Sequence, residues 1–152
     1  MFETEQEAKN SAIQLLSRRE HSRKELNDKL GGRSQNVDLE KVLDDLESNG
    51  YLSDHRFTES FIRMRISQGH GLIRIQFDLR RKGVGSELIA QILEEMDIDW
   101  YQQAVELYRR KYRTAIEEKD YKERSKRLRY MSQRGFSSEQ CQYAMSPDST
   151  LD

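Results

Sequence analysis

The chain has 152 residues, of which 35% are hydrophobic and 35% are charged. An ordinary globular domain has about 45–50% apolar and about 25% charged residues, so this composition argues against one compact domain with a single large core. A disordered chain and a series of small units that each bury a thin core are both compatible with it. The 26 basic and 27 acidic side chains give a net charge of −1, which excludes a uniformly basic field around the molecule.

The N-terminal segment carries acidic residues where a secretory signal peptide has basic ones, and no run of 18 apolar residues occurs in the sequence. A single cysteine and three scattered histidines provide neither a disulfide framework nor the spacing of metal ligands. We therefore expect a cytoplasmic protein that is not membrane-bound and that has no metal ion or cofactor.

Helices are predicted along the whole chain, because Pro147 is the only proline and the alternation typical of β-strands is absent. Ser22-Arg-Lys-Glu25 and Ser137-Ser-Glu-Gln140 have the spacing of capping boxes, and Asp54 is predicted to cap the helix that follows it. Predicted helix ends lie at glycines, where a left-handed residue can close the last turn: Gly31/Gly32, Gly50, Gly69/Gly71, Gly83/Gly85 and Gly135.

An internal repeat of about 50 residues organises these helices. Similar segments follow three of the glycine-marked ends: Val37-Asp-Leu-Glu40, Val84-Gly-Ser-Glu87 and Phe136-Ser-Ser-Glu139. Equivalent apolar residues follow each glutamate, two positions later at Val42, Ile89 and Cys141, and six positions later at Leu46, Leu93 and Met145. Cys141 is therefore predicted to be a core residue and not a reactive thiol.

The first helix of each repeat carries an apolar stripe at helical spacing. The stripes are Ala8, Ala12, Leu15 and Leu16, then Phe57, Phe61 and Met64, and finally Tyr101, Ala104, Val105, Tyr108 and Tyr112. We predict an all-α fold, an elongated, curved array of three tandem three-helix repeats that resemble helix-turn-helix units. The repeats are expected at residues 1–53, 54–97 and 98–146, with a flexible tail at 147–152.

Charge is distributed unevenly along this array. Residues 1–54 carry 8 basic and 12 acidic side chains, residues 55–83 carry 7 and 2, and residues 109–134 carry 11 and 4, giving local net charges of −4, +5 and +7. Such asymmetry is compatible with nucleic-acid binding and also with solvated helix faces. Within the last segment, a basic stripe at helical spacing is formed by Lys122, Lys126, Arg129 and Gln133.

The basic stripe is predicted to face solvent, because Leu128 and Met131 point away from it toward the core. It can track a phosphate backbone, and Tyr130 beside it either stacks on a base or packs inside the protein. The helix from Leu72 to Lys82 has two apolar faces, of which Ile73 and Phe77 form the second. That second face contacts either a neighbouring repeat or a separate protein.

Catalytic patterns are absent from the sequence. The glycine pairs lack the strand-to-helix context of phosphate-binding loops, and neighbouring carboxylates such as Asp44 and Asp45 point to different faces of a helix. We therefore predict no catalytic residue and no enzymatic activity.

The most distinctive residues lie in the central third of the chain, in Gly50-Tyr-Leu-Ser-Asp54, Arg56-Phe57, Phe61-Ile-Arg63, Arg65, Gly69-His-Gly71, Arg74-Ile75, Leu79 and Lys82-Gly-Val84. Others are Ser22-Arg-Lys-Glu-Leu26, Leu30, Asp97-Ile-Asp-Trp100, Arg110-Lys-Tyr112 and Arg134-Gly-Phe136. In these positions the chain resembles the RecX family, regulators of the RecA recombinase, from about residue 8 to residue 146. The family commonly has Lys and Pro where this chain has Gln68 and Leu72. Gln68 removes a candidate phosphate contact, and the loss of Pro removes a rigid first helical turn.

This resemblance implies a non-enzymatic protein that binds RecA filaments on DNA and mainly inhibits them by lowering ATP hydrolysis and strand exchange. Single-stranded DNA is the first expected DNA partner, and double-stranded DNA is the second. It implies either groove binding that bridges RecA subunits or a block to filament extension. We expect a monomer. The rival interpretation is a general helical DNA-binding module without a dedicated RecA partner; a protein-only scaffold and an enzyme with a site assembled across repeats are further alternatives.

Candidate contact residues follow from helical faces and basic clusters. DNA contacts are predicted at Arg63, Arg65, Arg81, Lys82, Lys122, Lys126, Arg127 and Arg129. RecA contacts are predicted at Tyr51, Ile73, Arg74 and Phe77. Tyr51 and Leu52 are also candidates for a joint between two repeats.

Overall fold

The computed structural model describes residues 2–32 and 36–146, and this part of the chain contains helices and no strand. The helices are α1 (Glu5–Arg18), α2 (Arg23–Lys29), α3 (Leu39–Ser48), α4 (Asp54–Ser67), α5 (Leu72–Arg81), α6 (Ser86–Met96), α7 (Trp100–Lys111), α8 (Tyr121–Gln133) and α9 (Ser138–Met145). The predicted all-α fold class is confirmed. The tail predicted at 147–152 lies outside the described residues.

The chain forms two compact units. The first comprises the residues up to Phe61 together with Leu79–Ile92, and the second comprises Ile62–Asp78 together with the residues from Leu93 onward. The helices of the predicted second repeat, α4, α5 and α6, are therefore divided between the units. The two compact units are a different division of the chain from the three predicted repeats. The predicted repeat boundaries stay a prediction.

The core of the first unit lies between α1, α2 and α3, with α1 and α2 both packed against α3. Small side chains on α1 allow close approach of that helix, and each fully buried leucine contributes roughly 1.5–3 kcal/mol. The buried members are Ala8, Ala12, Leu26, Leu30, Leu39, Val42, Leu43, Leu46 and Leu52. Leu15 and Leu16 are half-buried at the edge of this core, so the predicted stripe on α1 is confirmed.

The second unit has a separate core, in which α7 and α8 both pack against α9. Its buried members are Ala104, Val105, Leu107, Met131, Phe136, Cys141 and Ala144. Burial raises the pKa of the Cys141 thiol, and its Sγ lies 3.7 Å from the carbonyl oxygen of Phe136. The core role predicted for Cys141 is thus confirmed. Its repeat equivalents Val42 and Ile89 are buried as well.

Two of the three predicted helix caps are confirmed. Ser22 and Ser137 both form capping boxes, at the starts of α2 and α9. The prediction for Asp54 is wrong, because the hydroxyl of Ser53 accepts the hydrogen bond from the Arg56 amide at 3.1 Å. Asp54 is the first residue of α4, and its carboxylate instead accepts the Arg23 amide of α2 at 2.8 Å.

In the first unit, the first turn of α2 packs against the glycine-containing turn between α5 and α6. Ser22 Oγ donates to the carbonyl oxygen of Lys82 at 2.6 Å, at the turn between α5 and α6. Gly83 in this turn has φ +85°, and a Cβ there would lie 2.5 Å from the Cβ of Lys24. Only glycine combines that backbone conformation with so close an approach.

The second unit repeats this arrangement between the first turn of α5 and the turn that joins α8 to α9. The Gly71 amide donates to the Arg134 carbonyl at 2.7 Å, and the Ile73 amide donates to the Gly135 carbonyl at 3.0 Å. A Cβ on Gly135 would lie 2.5 Å from the Cβ of Arg74. The sequence motifs Gly69-His-Gly71 and Arg134-Gly-Phe136 therefore meet in one helix-packing contact.

Glu25, in the capping box of α2, is a largely buried carboxylate of the first unit, with a side chain only 11% exposed. Arg19 Nη2 donates to it at 3.2 Å, Lys82 Nζ at 3.1 Å, and the Ser22 amide at 3.1 Å. Burial by itself raises the pKa of Glu25, but these three hydrogen bonds outweigh burial and lower the pKa to about 2.

We expect the Glu25→Gln variant to lose about 2 kcal/mol of unfolding free energy at pH 7. The folded pKa of about 2 lies below the ordinary value of 4.5, so the stabilisation is complete above pH 4.5 and disappears as the pH falls toward 2. Urea denaturation at several pH values should therefore show a shallower acid decline for the variant than for the wild type. Glu40→Gln, at a carboxylate that pairs with Arg23 but is 78% exposed, serves as the control. Equal acid declines of wild type and Glu25→Gln would contradict the prediction.

Candidate DNA and protein interface

The predicted basic stripe lies on the outer side of α8. Its exposed members are Lys122, Lys126, Arg129 and Gln133. On the opposite side, Met131 is buried and Leu128 is half-buried against the core. Tyr130 packs edge to face on Tyr112, with 5.8 Å between ring centroids, which favours the packing role over base stacking. The solvent-facing stripe predicted from periodicity is confirmed, and its binding to DNA stays a prediction.

Arg127 does not belong to this exposed surface. Only 5% of the residue is exposed, because it lies four positions before the buried Met131 on the inward side of α8. Its Nε donates to Glu123 at 2.9 Å, and Nη1 donates to the Tyr108 hydroxyl and the Thr114 carbonyl, both at 2.8 Å. Arg127 therefore offers no cation to a surface ligand, contrary to its place among the predicted DNA contacts.

The electrostatic surroundings of Arg127 are consistent with a permanent interior charge. Burial by itself lowers the pKa of Arg127, but the hydrogen bonds to Glu123 and Tyr108 raise it above its usual value. The guanidinium carbon also lies 4.4 Å from the ring centroid of Tyr112, within cation–π distance. This side chain connects α7, α8 and the link between them.

The remaining predicted DNA contacts lie on α4 and at the end of α5. Arg63 and Arg81 are exposed. Arg65 is half-buried and donates to the Gln68 side chain at 3.2 Å. Lys82 is half-buried and pairs at 3.1 Å with Glu25, a carboxylate that Arg19 also contacts. Arg63 and Arg81 are therefore more exposed to solvent than Arg65 and Lys82.

The two predicted faces of α5 differ sharply in burial. Ile75 and Leu79 are fully buried, as expected of the core face. Ile73 and Phe77 on the other face are 55% and 54% exposed. Arg74 lies beside them and is exposed, with its Nε 3.8 Å from the Asp78 carboxylate. The second face is thus an apolar, solvent-exposed pair with an arginine next to it.

His70, within Gly69-His-Gly71, is buried beside a cluster of arginines. Burial and, to a smaller extent, the positive charges of Arg134, Arg74 and Arg65 together lower the pKa of His70 to about 4. The ring is therefore neutral at pH 7. Arg134 donates to the carbonyl oxygens of Gly69 and Gln68, so Gln68 contributes a main-chain contact here.

Tyr51 and Leu52, in the first unit, have different environments. Leu52 belongs to the core, and Tyr51 is 49% exposed. The amides of both residues donate to the Leu46 carbonyl at the end of α3, which fixes this short link. An exposed Tyr51 is compatible with the predicted contact to another protein.

A cleft of about 720 Å³ in the second unit was not predicted from the sequence. It lies where the end of α7, residues 112–120, the start of α8 and the end of α9 come together. Three tyrosines and three arginines line it: Tyr108, Tyr112, Tyr121, Arg109, Arg113 and Arg124. The aromatic residues were visible in the sequence, but their convergence depends on the fold of residues 112–120.

Comparison with known proteins identifies the family. Models of the first, second and third three-helix domains of RecX match residues 8–34, 53–93 and 97–145. The chain belongs to the RecX family. The regulatory protein RecX of Vibrio vulnificus is 38% identical over 143 residues, which cover 92% of each chain. That of Chromohalobacter salexigens is 37% identical over 139 residues, which cover 91% of this chain and 90% of the relative.

The fold comparison agrees with this membership. The crystal structure of RecX from Lactobacillus salivarius superposes with a TM-score of 0.74 at 20% sequence identity, over 97% of both chains. The first RecX domain model ends at residue 34, and α3 contributes buried residues to the same core. RecX proteins are regulatory proteins by name, and this chain shares their three-helix repeats.

Two further properties concern the part of the RecX chain that the structure describes. Its helices are all too short or too polar to cross a membrane. Its His, Cys, Asp and Glu side chains do not gather in groups of three or more that could hold a metal ion.

Proposed function

We propose that this RecX-family chain binds the RecA filament on DNA and lowers its ATP hydrolysis and strand exchange, by binding and not by catalysis. The observation that carries the proposal is the exposed face of α5. Ile73 and Phe77 expose more than half of their surface beside Arg74, within residues 53–93, which match the second three-helix domain of RecX. Apolar side chains next to an arginine are typical of protein-binding surfaces.

The basic stripe on α8 supports the DNA part of the proposal. Lys122, Lys126 and Arg129 are exposed on one side of the helix. Neutralising DNA phosphates with such cations releases counterions and gives an affinity that falls with salt concentration. A partner that contains both protein and DNA can use an apolar contact and a cationic contact at once. Arg63 and Arg81 are further candidates for the cationic contact.

Two modes of action are compatible with these surfaces. The chain binds in the filament groove and bridges RecA subunits, or it binds a filament end and blocks extension. The ratio of protein to RecA at half inhibition distinguishes them. A block at filament ends requires far fewer molecules than occupation of the groove along the whole filament.

The test is ATP hydrolysis by RecA on single-stranded DNA as the protein is added at fixed salt, with a charge-matched unrelated protein as control. We expect inhibition by the wild type and at least a tenfold weaker effect for Ile73→Ser with Phe77→Ser, because the apolar contact is lost. Tyr143→Ser is the matched control, since this tyrosine on α9 is 42% exposed outside the α5 surface. Circular dichroism verifies that each variant is folded.

Absence of inhibition by the folded wild type would overturn the proposal. Salt-sensitive DNA binding without any effect on RecA would instead favour the general DNA-binding module. Equal inhibition by the wild type and the α5 variant would remove this face from the RecA contact.

A further inference from the structure

Aromatic and apolar side chains line much of the cleft of the second unit. Tyr108, Tyr112 and Tyr121 line it together with Ile116 and Met145. Tyr121 is 71% exposed at the start of α8. A volume of about 720 Å³ is in the range of small-molecule sites, which span about 300–1,000 Å³. The cleft is therefore large enough to take a planar ring together with its solvent.

Charges around the cleft are balanced. Arg109, Arg113 and Arg124 are matched by the carboxylates Glu117, Glu118 and Asp120. The Asp120 carboxylate is already engaged, because it accepts the Glu123 amide at 3.0 Å as the cap of α8. Such a lining suits a neutral group better than an anion.

Two of the three tyrosines, Tyr108 and Tyr112, are held in place before any ligand binds. The buried Arg127 donates to the Tyr108 hydroxyl and to the Thr114 carbonyl, and its guanidinium lies over the Tyr112 ring. One side chain thus connects two aromatic walls and residues 112–120. A preorganised cleft loses little conformational entropy when it is filled.

The helix α8, which contributes Tyr121 to the cleft, also carries exposed cations. Lys122 directly follows Tyr121, and Lys126 and Arg129 continue the exposed stripe along α8. The occupant that fits both surfaces has a neutral, planar group attached to a chain of anions. This description matches single-stranded nucleic acid, whose bases stack on aromatic side chains while phosphates bind basic residues.

We propose that the cleft takes an unpaired nucleobase of single-stranded DNA, with Tyr121 as the stacking residue and the α8 stripe on the adjoining phosphates. The proposal rests on the DNA contact of the proposed function and assigns it a base site. Duplex DNA keeps its bases stacked and cannot fill the cleft, so the site favours single strands.

The test compares the binding of two strands to the full chain at fixed salt, a 12-residue oligothymidine and an abasic strand with the same number of phosphates. We expect the wild type to bind oligothymidine about tenfold more tightly, from stacking of a base. Tyr121→Ala should abolish this preference without changing the affinity for the abasic strand, and Tyr121→Phe should keep it. Tyr143→Ala, an exposed tyrosine of the same unit outside the cleft, should behave as wild type.

The Lys122→Glu, Lys126→Glu double variant separates the base site from the phosphate contact. This variant should bind both strands more weakly than the wild type, by the same factor, and its binding should depend less on salt concentration. The base site would be overturned, with DNA binding intact, if the wild type bound both strands with equal affinity. It would also be overturned if Tyr121→Ala lowered the affinity for both strands by the same factor. Failure of the wild type to bind either strand would overturn the DNA contact of the proposed function as well.

Discussion

Replacing Gly135 by alanine is expected to lower the free energy of unfolding by about 2–5 kcal/mol. The backbone of Gly135 has φ +105°, in the left-handed region, where a side chain costs about 1–2 kcal/mol. The added methyl would also lie 2.5 Å from Arg74 Cβ and 2.8 Å from Arg74 N, and such overpacking costs about 1–3 kcal/mol.

Two further glycine variants measure the conformational cost and the steric cost separately. Gly50 has φ +81° but open space around it, so Gly50→Ala should show only the conformational cost, about 1–2 kcal/mol. Gly71 lacks a positive φ, but its Cβ would lie 2.6 Å from the Gly135 backbone, so Gly71→Ala should show the steric cost. Urea denaturation followed by circular dichroism provides the three values. A loss for Gly135→Ala no larger than that for Gly50→Ala would mean that α5 moves to accept the methyl.

Local patterns in the sequence predicted much of this fold. The capping boxes of Ser22 and Ser137 and the buried slots Val42, Ile89 and Cys141 all agree with the structure. These features depend on neighbouring residues and on helical periodicity, both of which are visible without tertiary information.

Features that depend on tertiary contacts were not predictable. Asp54 has the composition of an N-cap, but its carboxylate binds the Arg23 amide, a partner 31 positions away in the sequence. Periodicity correctly predicts that Leu128 and Met131 point inward. The prediction that Arg127 contacts DNA rested on the basic cluster around it, and the structure buries this arginine on the same inward side. Its burial becomes understandable only when Tyr108, Tyr112 and Thr114 are seen to converge on it.

Arg127→Ala is expected to lose about 3 kcal/mol of unfolding free energy. The substitution leaves the Tyr108 hydroxyl and the Thr114 carbonyl without their donor, and it removes the partner of Glu123. Arg127→Lys should lose about 1–2 kcal/mol, because one ammonium group cannot reproduce the planar fork that serves several acceptors. Arg129→Ala, two residues farther along and exposed, should change stability by less than about 0.5 kcal/mol. Urea denaturation of the three variants measures these differences.

We expect substitution of Arg129 to affect DNA binding more than substitution of Arg127, the reverse of their effects on stability. Arg129→Ala removes an exposed cation of the α8 stripe, so it should weaken binding to single-stranded DNA and reduce the salt slope by about 0.7, the value for one phosphate contact. Arg127→Lys keeps the charge in the interior, so its affinity and slope should match the wild type at temperatures where it is folded. A reduced slope for Arg127→Lys with unchanged stability would place this guanidinium on the DNA-binding surface. Opposite rankings in the two measurements would instead establish that one helix side stabilises the unit while the other meets the phosphates.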